Sequence, residues 1–415
     1  MTRQVIAALD ASWESELVAA VEATAGYTVA RRCADLADLL AAAAAGHGEI
    51  ALVSADLRAL DRPALHELAS HGVEAAGVVG PGDEPGERRL RQLGLEVVLR
   101  ADLASHEIDD ALDALEAIHL GQLDPGRDAG DADDLDPGSV PPTRAAVIAV
   151  WGPTGAPGRT TVAVNLAAEL ALREPTLLVD LDTYGASIAQ ALGLLDEAPG
   201  VAAAARAADQ GGLDLAGLAR VAPEVSPGLR VLTGLPRAAR WTELRAPSVA
   251  HVLATARGLA RFVVVDCGFA IEDDEELSYD TLAPRRNAAT LTALEEADEL
   301  VVVGTADPIG LQRLVRAVQD LGSVPSPTAR VVVNRVRGTS VGPRPEHRIA
   351  EALARFAGMD DLAFLPLDQS TTDAALFAGT TLAELAPQSG LRRAISSLAD
   401  AYAAPRPERR RRLRS

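Results

Sequence analysis

The sequence contains no lysine; all 39 of its basic residues are arginines. An arginine where lysine is usual therefore has a compositional explanation and is weak evidence for lost chemistry. Aromatic residues are also scarce, at 3% of the chain, and most of the 48% apolar content is alanine, valine and leucine. That content is sufficient for the cores of two or three domains in 415 residues.

Cysteines and long apolar runs are almost missing as well. Cys33 and Cys267 are too few and too far apart for a metal cluster or a disulfide framework, so we expect two buried thiols. No apolar run approaches the roughly 20 residues that span a bilayer. The first residues lack the apolar core and cleavage site of a signal peptide. We therefore expect a cytoplasmic protein.

Positive charge is the third scarcity, because the formal net charge is −20. An acidic surface disfavours nonspecific binding to nucleic acid or anionic lipid, and we expect no specific nucleic-acid partner. The exception is the arginine-rich tail, residues 405–415. We interpret it as a solvated tail, with weak peripheral contact to anionic lipid or an acidic partner as the alternative.

An acidic segment divides the chain. Residues 119–144 are rich in Asp, Gly and Pro and cannot bury a core, which predicts a flexible linker. In 1–118, five short apolar runs alternate with helical patterns, which predicts a small parallel sheet with helices on both faces. In 145–404, six nearly continuous Val, Leu and Ile runs predict strands buried on both faces. This part is expected to be a doubly wound, mostly parallel α/β sheet.

The stretch "VWGPTGAPGRTTVAVNLAAEL", residues 150–170, links a predicted strand to a predicted helix. A phosphate-binding loop has the pattern G-x-x-x-x-G-K-[ST] in this context. Gly158 and Thr160 match it, whereas Pro153 stands at the first glycine and Arg159 at the lysine. Backbone N–H groups and the helix N-terminus supply most of the anion binding in such a loop. The alternative is an ordinary strand-to-helix turn.

Three aspartates follow predicted buried strands. Asp180 and Asp182 lie in "TLLVDLDTYGAS", and Asp266 lies in "RFVVVDCGFAIED". Carboxylates at the carboxyl ends of parallel strands face the ligand crevice and can reach Mg²⁺ or a water near a γ-phosphate. Each one alone could instead cap the following helix. Their order behind the loop favours a nucleotide site.

With these motifs, 145–404 resembles the ParA/MinD family of deviant-Walker P-loop ATPases over nearly its whole length. Further matching stretches are "ADELVVVGTADPIGL", "VVVNRV" and "FLPLDQSTTDAALFAGTTLAEL". The resemblance implies ATP and Mg²⁺ as cofactors. It implies that the phosphates are held by Gly155, Gly158, Arg159, Thr160 and Thr161.

The resemblance also assigns residues to Mg²⁺, to the attacking water and to the adenine base. Thr160 would bind Mg²⁺, Asp266 would be the Walker B carboxylate and Asp180 would support the metal. Asp182 would orient the attacking water and act with Arg159 in catalysis. The adenine would lie between Asn334 and Pro366.

Two positions depart from the family pattern. The signature lysine, which in the family reaches across a nucleotide-bound homodimer, is replaced by Thr154, and the P-loop lysine is replaced by Arg159. Arginine keeps the charge but presents a planar fork instead of a compact ammonium. Loss of a transition-state contact typically costs about 10²–10³ in rate. We therefore expect Mg·ATP binding with slow or absent hydrolysis.

The front part resembles a response-regulator receiver domain that has lost its chemistry. Ser54 stands at the acceptor position, Gly80 at the hydroxyl position and Arg100 at the lysine position, and Asp10 is one remaining acid. Phosphorylation at Asp56 is the alternative to a degenerate receiver used for docking.

A degenerate receiver, a linker and a deviant ATPase together resemble the CpaE/TadZ family. This implies a positioning factor for Flp (tight-adherence) pilus or secretion machinery. Its partners would be the secretion ATPase or other polar-assembly proteins, with recruitment to the cell pole or the inner face of the membrane. A septum-site or chromosome-partition ATPase and a nucleotide-free scaffold remain the alternatives.

Overall fold

The computed structural model describes residues 2–9, 13–103, 105–119, 145–155, 157–194, 199–272 and 284–403. The chain divides into two compact units, each with its own sheet. The predicted acidic linker beyond residue 119, the basic tail and Asp10 lie outside the described residues. The boundaries expected from the sequence therefore stay predictions.

The first unit is built from alternating strands and helices. Its strands are β1 (Arg3–Ala8), β2 (Tyr27–Arg32), β3 (Ile50–Ser54), β4 (Glu74–Val79) and β5 (Val98–Arg100). Its helices are α1 (Glu14–Ala23), α2 (Leu36–Ala44), α3 (Arg62–Ser70), α4 (Glu84–Leu93) and α5 (Ser105–His119). All neighbouring strands are parallel, in the order β2-β1-β3-β4-β5. The predicted small parallel sheet is confirmed, and its order is that of flavodoxin-like folds.

Strand β1 shows how this sheet serves two cores. Successive side chains of a strand point to opposite faces. Ile6 and Ala8 accordingly pack into one apolar cluster, while Val5 and Ala7 pack into the other. A strand covered on both faces reads as a continuous apolar run, as "VIAA" does here.

At the predicted acceptor position of this unit, Ser54 is buried and its hydroxyl donates a hydrogen bond to Asp56. Arg100 is exposed and forms an ion pair of 3.2 Å with Asp102. Neither contact resembles a phosphorylation site. That the unit is not phosphorylated stays a prediction.

The second unit contains the larger sheet. Its strands are β6 (Ala146–Trp151), β7 (Thr176–Leu181), β8 (Glu224–Ser226), β9 (Leu229–Leu232), β10 (Phe262–Cys267), β11 (Glu299–Thr305), β12 (Ala329–Val336) and β13 (Leu362–Pro366). They lie in the order β13-β12-β11-β6-β10-β7-β9-β8, and all neighbours are parallel except β8 and β9. The predicted doubly wound, mostly parallel sheet is confirmed.

Helices lie between and after these strands along the chain, and the segment Ala204–Gly217 among them belongs to the first compact unit. The first six are α6 (Arg159–Ala171), α7 (Ile188–Ala191), α8 (Gly200–Asp209), α9 (Leu215–Val221), α10 (Ala246–Leu259) and α11 (Ala288–Glu295). The later ones are α12 (Pro308–Asp320), α13 (Gly338–Val341), α14 (Pro345–Ala357), α15 (Gln369–Ala378), α16 (Leu382–Leu385) and α17 (Gly390–Ala403). Two short 3₁₀ segments are Ala238–Glu243 and Leu321–Ser323.

Helix α6 is the centre of the second core, because every residue from Val162 to Leu170 is buried. The sheet covers one side of α6, and α17 packs against another. The one carboxylate in this stretch, Glu169, is 1% exposed and accepts hydrogen bonds of 2.6 and 3.0 Å from Arg392. A helix that is apolar all round is stable only when it is enclosed in this way.

The structure also tests the expectations for the two cysteines and for membrane-spanning segments. Cys33 and Cys267 are free and buried, as expected. Burial, together with the charge of Asp266, raises the pKa of the Cys267 thiol far above its ordinary value. Among the described residues, no helix has the length and apolar character needed to cross a membrane.

Candidate functional site

The loop between β6 and α6 contains two glycines in conformations that other residues rarely adopt. Gly155 and Gly158 have φ angles of 104° and 95°, in the left-handed region that favours glycine. A methyl group on Gly158 would also overlap the side-chain amide of Asn334. Gly158 is the residue before α6, and no side chain caps that helix terminus. The first backbone N–H groups of α6 are therefore open to a phosphate.

Arg159, at the lysine position, is folded back over this loop. Its Nη1 donates hydrogen bonds of 3.2 and 3.0 Å to the carbonyl oxygens of Gly152 and Pro153. Its Nη2 lies 3.5 Å from Oδ2 of Asp182. The cation predicted to hold phosphate and the carboxylate predicted to orient water thus form an ion pair with each other. Both side chains are largely buried, at 12% and 9% exposure.

The next residue is joined to the second carboxylate. Thr160 Oγ1 donates a hydrogen bond of 2.6 Å to Oδ2 of Asp266, which is 1% exposed. Within the described part of the chain, Oδ1 of Asp266 has no hydrogen-bond partner. Burial raises the pKa of Asp266 well above its ordinary value, and the charge of Asp180 raises it further. Such a carboxylate is destabilised when ionised unless a cation joins it.

Asp180 and Asp182 support the loop that follows β7. Asp180 accepts backbone N–H bonds from Asp182 at 3.2 Å and from Ser187 and Ile188 at 3.0 Å each. Burial raises the pKa of Asp180 to about 7, although these N–H groups act in the opposite direction. Asp182 accepts from the N–H of Tyr184 at 2.9 Å. Both carboxylates thus fix backbone, so direct metal contact by Asp180 stays a prediction.

These groups fit a magnesium ion that is bound together with phosphate. No cluster of three or more His, Cys, Asp or Glu in the described ranges could hold a metal by itself. Mg²⁺ usually takes only one or two protein oxygens and completes its shell with phosphate and water. The hydroxyl of Thr160 and the unpartnered oxygen of Asp266 are oxygens of this kind.

A cavity of about 480 Å³ opens beside the first turn of α6. It is lined by Gly158, Thr161, Asn334 and Pro366 among others, which are the predicted base and phosphate residues. Asn334 Nδ2 donates a hydrogen bond of 2.8 Å to the carbonyl of Pro157, so Asn334 also holds the loop in place. The volume lies in the range of small-molecule sites.

The sequence did not predict several arginines near the loop. Arg335 and Arg337 line the large cavity, and Arg335 and Arg313 line a smaller one of about 290 Å³ beside Thr154. The run "NRVRG", residues 334–338, at the end of β12 would have identified the first two. Arg313 lies on α12, far along the chain, and no local pattern marks it.

Arg286 was also missed. Its guanidinium lies 3.8 Å from the centre of the Tyr184 ring and donates hydrogen bonds of 2.8 and 3.1 Å to Thr183. The Tyr184 hydroxyl donates to Asn287 at 2.7 Å. These contacts fix the loop after Asp182 and hence the position of that carboxylate.

Much of the chain is similar to known proteins. The family model described as "CobQ/CobB/MinD/ParA nucleotide binding domain" matches residues 148–380, more than half of the chain. A ParA family ATPase from Chlorobium tepidum has a similar structure, with 19% identity, a TM-score of 0.52, and coverage of 61% of this chain and 98% of that chain. At this identity the likeness shows the fold.

Two further structures are similar. The septum site-determining protein MinD complexed with Mg-ADP, from Pyrococcus horikoshii, has 18% identity and a TM-score of 0.49, covering 62% of this chain and 96% of its own. The MinC:MinD cell division protein complex of Aquifex aeolicus has 18% identity and a TM-score of 0.49, covering 64% and 99%. No curated protein sequence matches the chain significantly.

Proposed function

Because the chain belongs to the CobQ/CobB/MinD/ParA nucleotide-binding domain family, we propose that it binds Mg·ATP at the loop after β6 and hydrolyses it slowly or not at all. One observation carries the binding: the hydroxyl of Thr160 lies 2.6 Å from a buried carboxylate, Asp266, whose other oxygen is unpartnered in the described part of the chain. The hydroxyl and the carboxylate are oxygens of the kind that Mg²⁺ takes from a protein when phosphate and water complete its shell.

Different groups of the chain would contact the phosphates, the Mg²⁺ and the base. The backbone N–H groups at the start of α6 bind phosphate oxygens, and Arg159 neutralises their charge. Thr160 and Asp266 would hold Mg²⁺, which would supply neutralisation of phosphate charge. Asn334 and Pro366 border the base in the large cavity.

Slow hydrolysis follows from two features. Asp182 is paired with Arg159 and fixes backbone, so it is not free to orient a water. Thr154 carries no charge where the family uses lysine. The loop therefore retains ground-state contacts to phosphate while transition-state contacts are weakened, and only the latter raise the rate.

Calorimetry and a turnover assay test this proposal. We expect micromolar affinity for ATP, about 8 kcal/mol, and turnover far below the roughly 1 s⁻¹ of ordinary ATPases. Asp266→Ala should weaken binding mainly when Mg²⁺ is present. The double change Thr154→Lys with Arg159→Lys should raise turnover while affinity changes much less. A wild-type chain that turns over at ordinary rates would contradict the proposal.

At the level of the cell, we propose a cytoplasmic positioning factor of the CpaE/TadZ type for Flp pilus or secretion machinery. Its support is the pairing of a receiver-like unit, with Ser54 at the acceptor position, and an ATPase unit with an altered loop. The partners would be the secretion ATPase of that system or other polar-assembly proteins, a second copy of the chain, and at most weakly the inner face of the membrane. Co-purification with that ATPase, and loss of polar pilus assembly on deletion, test it.

A nucleotide-free scaffold is the second candidate, because the guanidinium of Arg159 is already engaged with two loop carbonyls and Asp182. Absence of heat and of a thermal shift at millimolar ATP would favour it. A septum-site role keeps the same chemistry with other partners, and dependence of septum placement on the gene would favour it. The net charge of −20 disfavours chromosome partition through direct DNA binding.

A further inference from the structure

A second, smaller cavity lies beside the phosphate loop, on the side of α12. It measures about 290 Å³. Thr154 and Gly155 of the loop line one wall, and Arg313 and Arg335 line another. The walls thus combine loop backbone and two guanidinium groups with one carboxylate, Asp307, which already accepts the N–H of Gly310. Loop backbone with an excess of guanidinium groups is a composition that binds anions.

Arg313 lies directly over the loop. A methyl group placed on Gly155 would overlap its Nη1, so the absence of a side chain at residue 155 is what lets the guanidinium reach the loop backbone. Helix α12, which carries Arg313, begins with Asp307 accepting the N–H of Gly310 at 2.9 Å. The helix is therefore capped at its start, and Arg313 as a residue is exposed.

Arg335 borders both cavities. Its φ angle is 57°, a left-handed conformation that is unfavourable for a residue with a side chain. Strain of this kind costs on the order of 1–3 kcal/mol and is concentrated at functional sites. The neighbouring Asn334 stabilises it by accepting the N–H of Arg335 at 2.8 Å.

The arginines near the loop differ in whether their side chains already have hydrogen-bond or ion-pair partners. Arg159 contacts two carbonyls and Asp182. By contrast, the side chains of Arg313 and Arg335 have no hydrogen bond or ion pair to any residue that the structure describes. Two arginines without a side-chain partner in the described part of the chain thus line the cavity beside Thr154, and they bring positive charge to the loop although position 154 itself supplies none.

We propose that Arg313 supplies, from α12 of the same chain, the phosphate-binding cation that position 154 lacks, and that it contacts the terminal phosphate of a bound nucleoside triphosphate. The inference rests on the proposed nucleotide site. It assigns discrimination between tri- and diphosphate to a residue outside the loop. Arg335, between the two cavities, adds charge to both sides of the loop.

The test is calorimetry on the full chain with Mg²⁺ and two probes, ADP and the non-hydrolysable triphosphate AMP-PNP. A charged hydrogen bond lost on Arg313→Ala should weaken AMP-PNP binding by about tenfold to a hundredfold. Binding of ADP should change by less than about threefold. Arg313→Lys should recover part of the loss, since the charge returns without the planar fork.

Arg316→Ala is the matched control. Arg316 is an exposed arginine on the same helix that lines neither cavity, so its removal changes net charge equally and should leave both affinities unchanged. Unchanged thermal unfolding of Arg313→Ala without nucleotide would show that the variant folds.

The outcomes separate the two claims. If the wild type binds neither probe, the proposed function fails, and the role of Arg313 fails with it. If the wild type binds both and Arg313→Ala binds AMP-PNP equally well, only the role of Arg313 is overturned. Equal losses for ADP and AMP-PNP would also overturn it, because the contact would then not be with the terminal phosphate.

Discussion

Replacing Asp266 by Asn should stabilise the nucleotide-free protein while removing its response to Mg²⁺. Asp266 is buried, one of its oxygens is unpartnered in the described part of the chain, and it pairs in register with Asp180 on the neighbouring strand. An asparagine keeps the oxygen that accepts from Thr160. It also replaces an ionisable oxygen with an amide that can donate to nearby carboxylates.

The size of the effect follows from the strand geometry. Paired residues of neighbouring strands are about 5 Å apart. Two carboxylates at that distance repel by about 3 kcal/mol at an effective dielectric constant of 20. Because Asp266 and Asp180 are not both fully ionised, we expect Asp266→Asn to raise the free energy of unfolding by about 1–3 kcal/mol at pH 8. A domain of this size gains about 2–4 °C in Tm for each kcal/mol.

The change in stability with pH should show whether the ionised carboxylate of Asp266 destabilises the folded protein. The folded-state pKa of Asp266 lies above its unfolded value, so the folded protein holds the proton to higher pH. The associated stability is fully present below the unfolded pKa of about 4 and is lost as pH rises through the folded pKa. Wild type and Asp266→Asn should therefore be similar at or below about pH 4 and should diverge as the pH rises towards 8. Denaturant unfolding at several pH values, without nucleotide, measures this difference.

Asp298→Asn provides a control with the opposite sign. Asp298 accepts a hydrogen bond of 2.5 Å from Arg257 and one of 2.8 Å from the N–H of Val147. Its neutralisation should cost about 1 kcal/mol. An Asp266→Asn protein that is less stable than wild type at pH 8, or whose ATP affinity still rises with Mg²⁺, would refute the reasoning.

Three other predictions test separate parts of the chain. A small phosphodonor should leave the mass of the protein unchanged, because Ser54 occupies the acceptor position; an acyl phosphate on Asp56 would contradict this. Glu169→Ala should lower the free energy of unfolding by about 2 kcal/mol, measured by denaturant titration, because Arg392 loses its two hydrogen bonds to this buried carboxylate; a loss under about 0.5 kcal/mol would contradict it. Asp182→Asn should tighten ATP binding about threefold to tenfold by calorimetry, since Arg159 loses its competing partner; weaker binding would show that Asp182 supports the ligand.

The fold was predictable because its buried strands appear as short, recognisable patterns in the sequence. A parallel strand covered on both faces requires a continuous apolar run, and β7 and β10 are such runs that end in aspartate. Since carboxyl ends of parallel strands meet at one edge, the positions of Asp180 and Asp266 near the loop followed from their order alone. The glycines at 155 and 158 were marked in the same way, because positive φ angles restrict the choice of residue.

Two strands of the second sheet were not predicted. β8 has three residues, none of them buried, and pairs antiparallel at the edge of the sheet. β13 is only partly buried and ends in Pro366. Edge strands contact one neighbour and one core face, so they lack the continuous apolar run on which the prediction depended. Pairing with the rest of the sheet, rather than local sequence, specifies them.

Side-chain partners in the site could not be predicted either. The sequence places Arg159 at the phosphate position but does not say that its guanidinium turns back to Asp182. Arg313 reaches Gly155 through the packing of α12 against the end of β11, which brings together residues far apart in the chain. Such contacts depend on helix placement to within an ångström or two, and a linear pattern carries no information on that scale.

The arginine at position 159 has a role even without nucleotide. Asp180, Asp182 and Asp266 gather three carboxylates within one buried edge of the sheet. Arg159 forms the ion pair with Asp182, and its charge also lowers the pKa of Asp266. A planar guanidinium can bond to two loop carbonyls and a carboxylate at once, which the compact ammonium of lysine does less well. The substitution therefore holds the loop closed against the acidic cluster in the free protein, and phosphate binding has to compete with this contact.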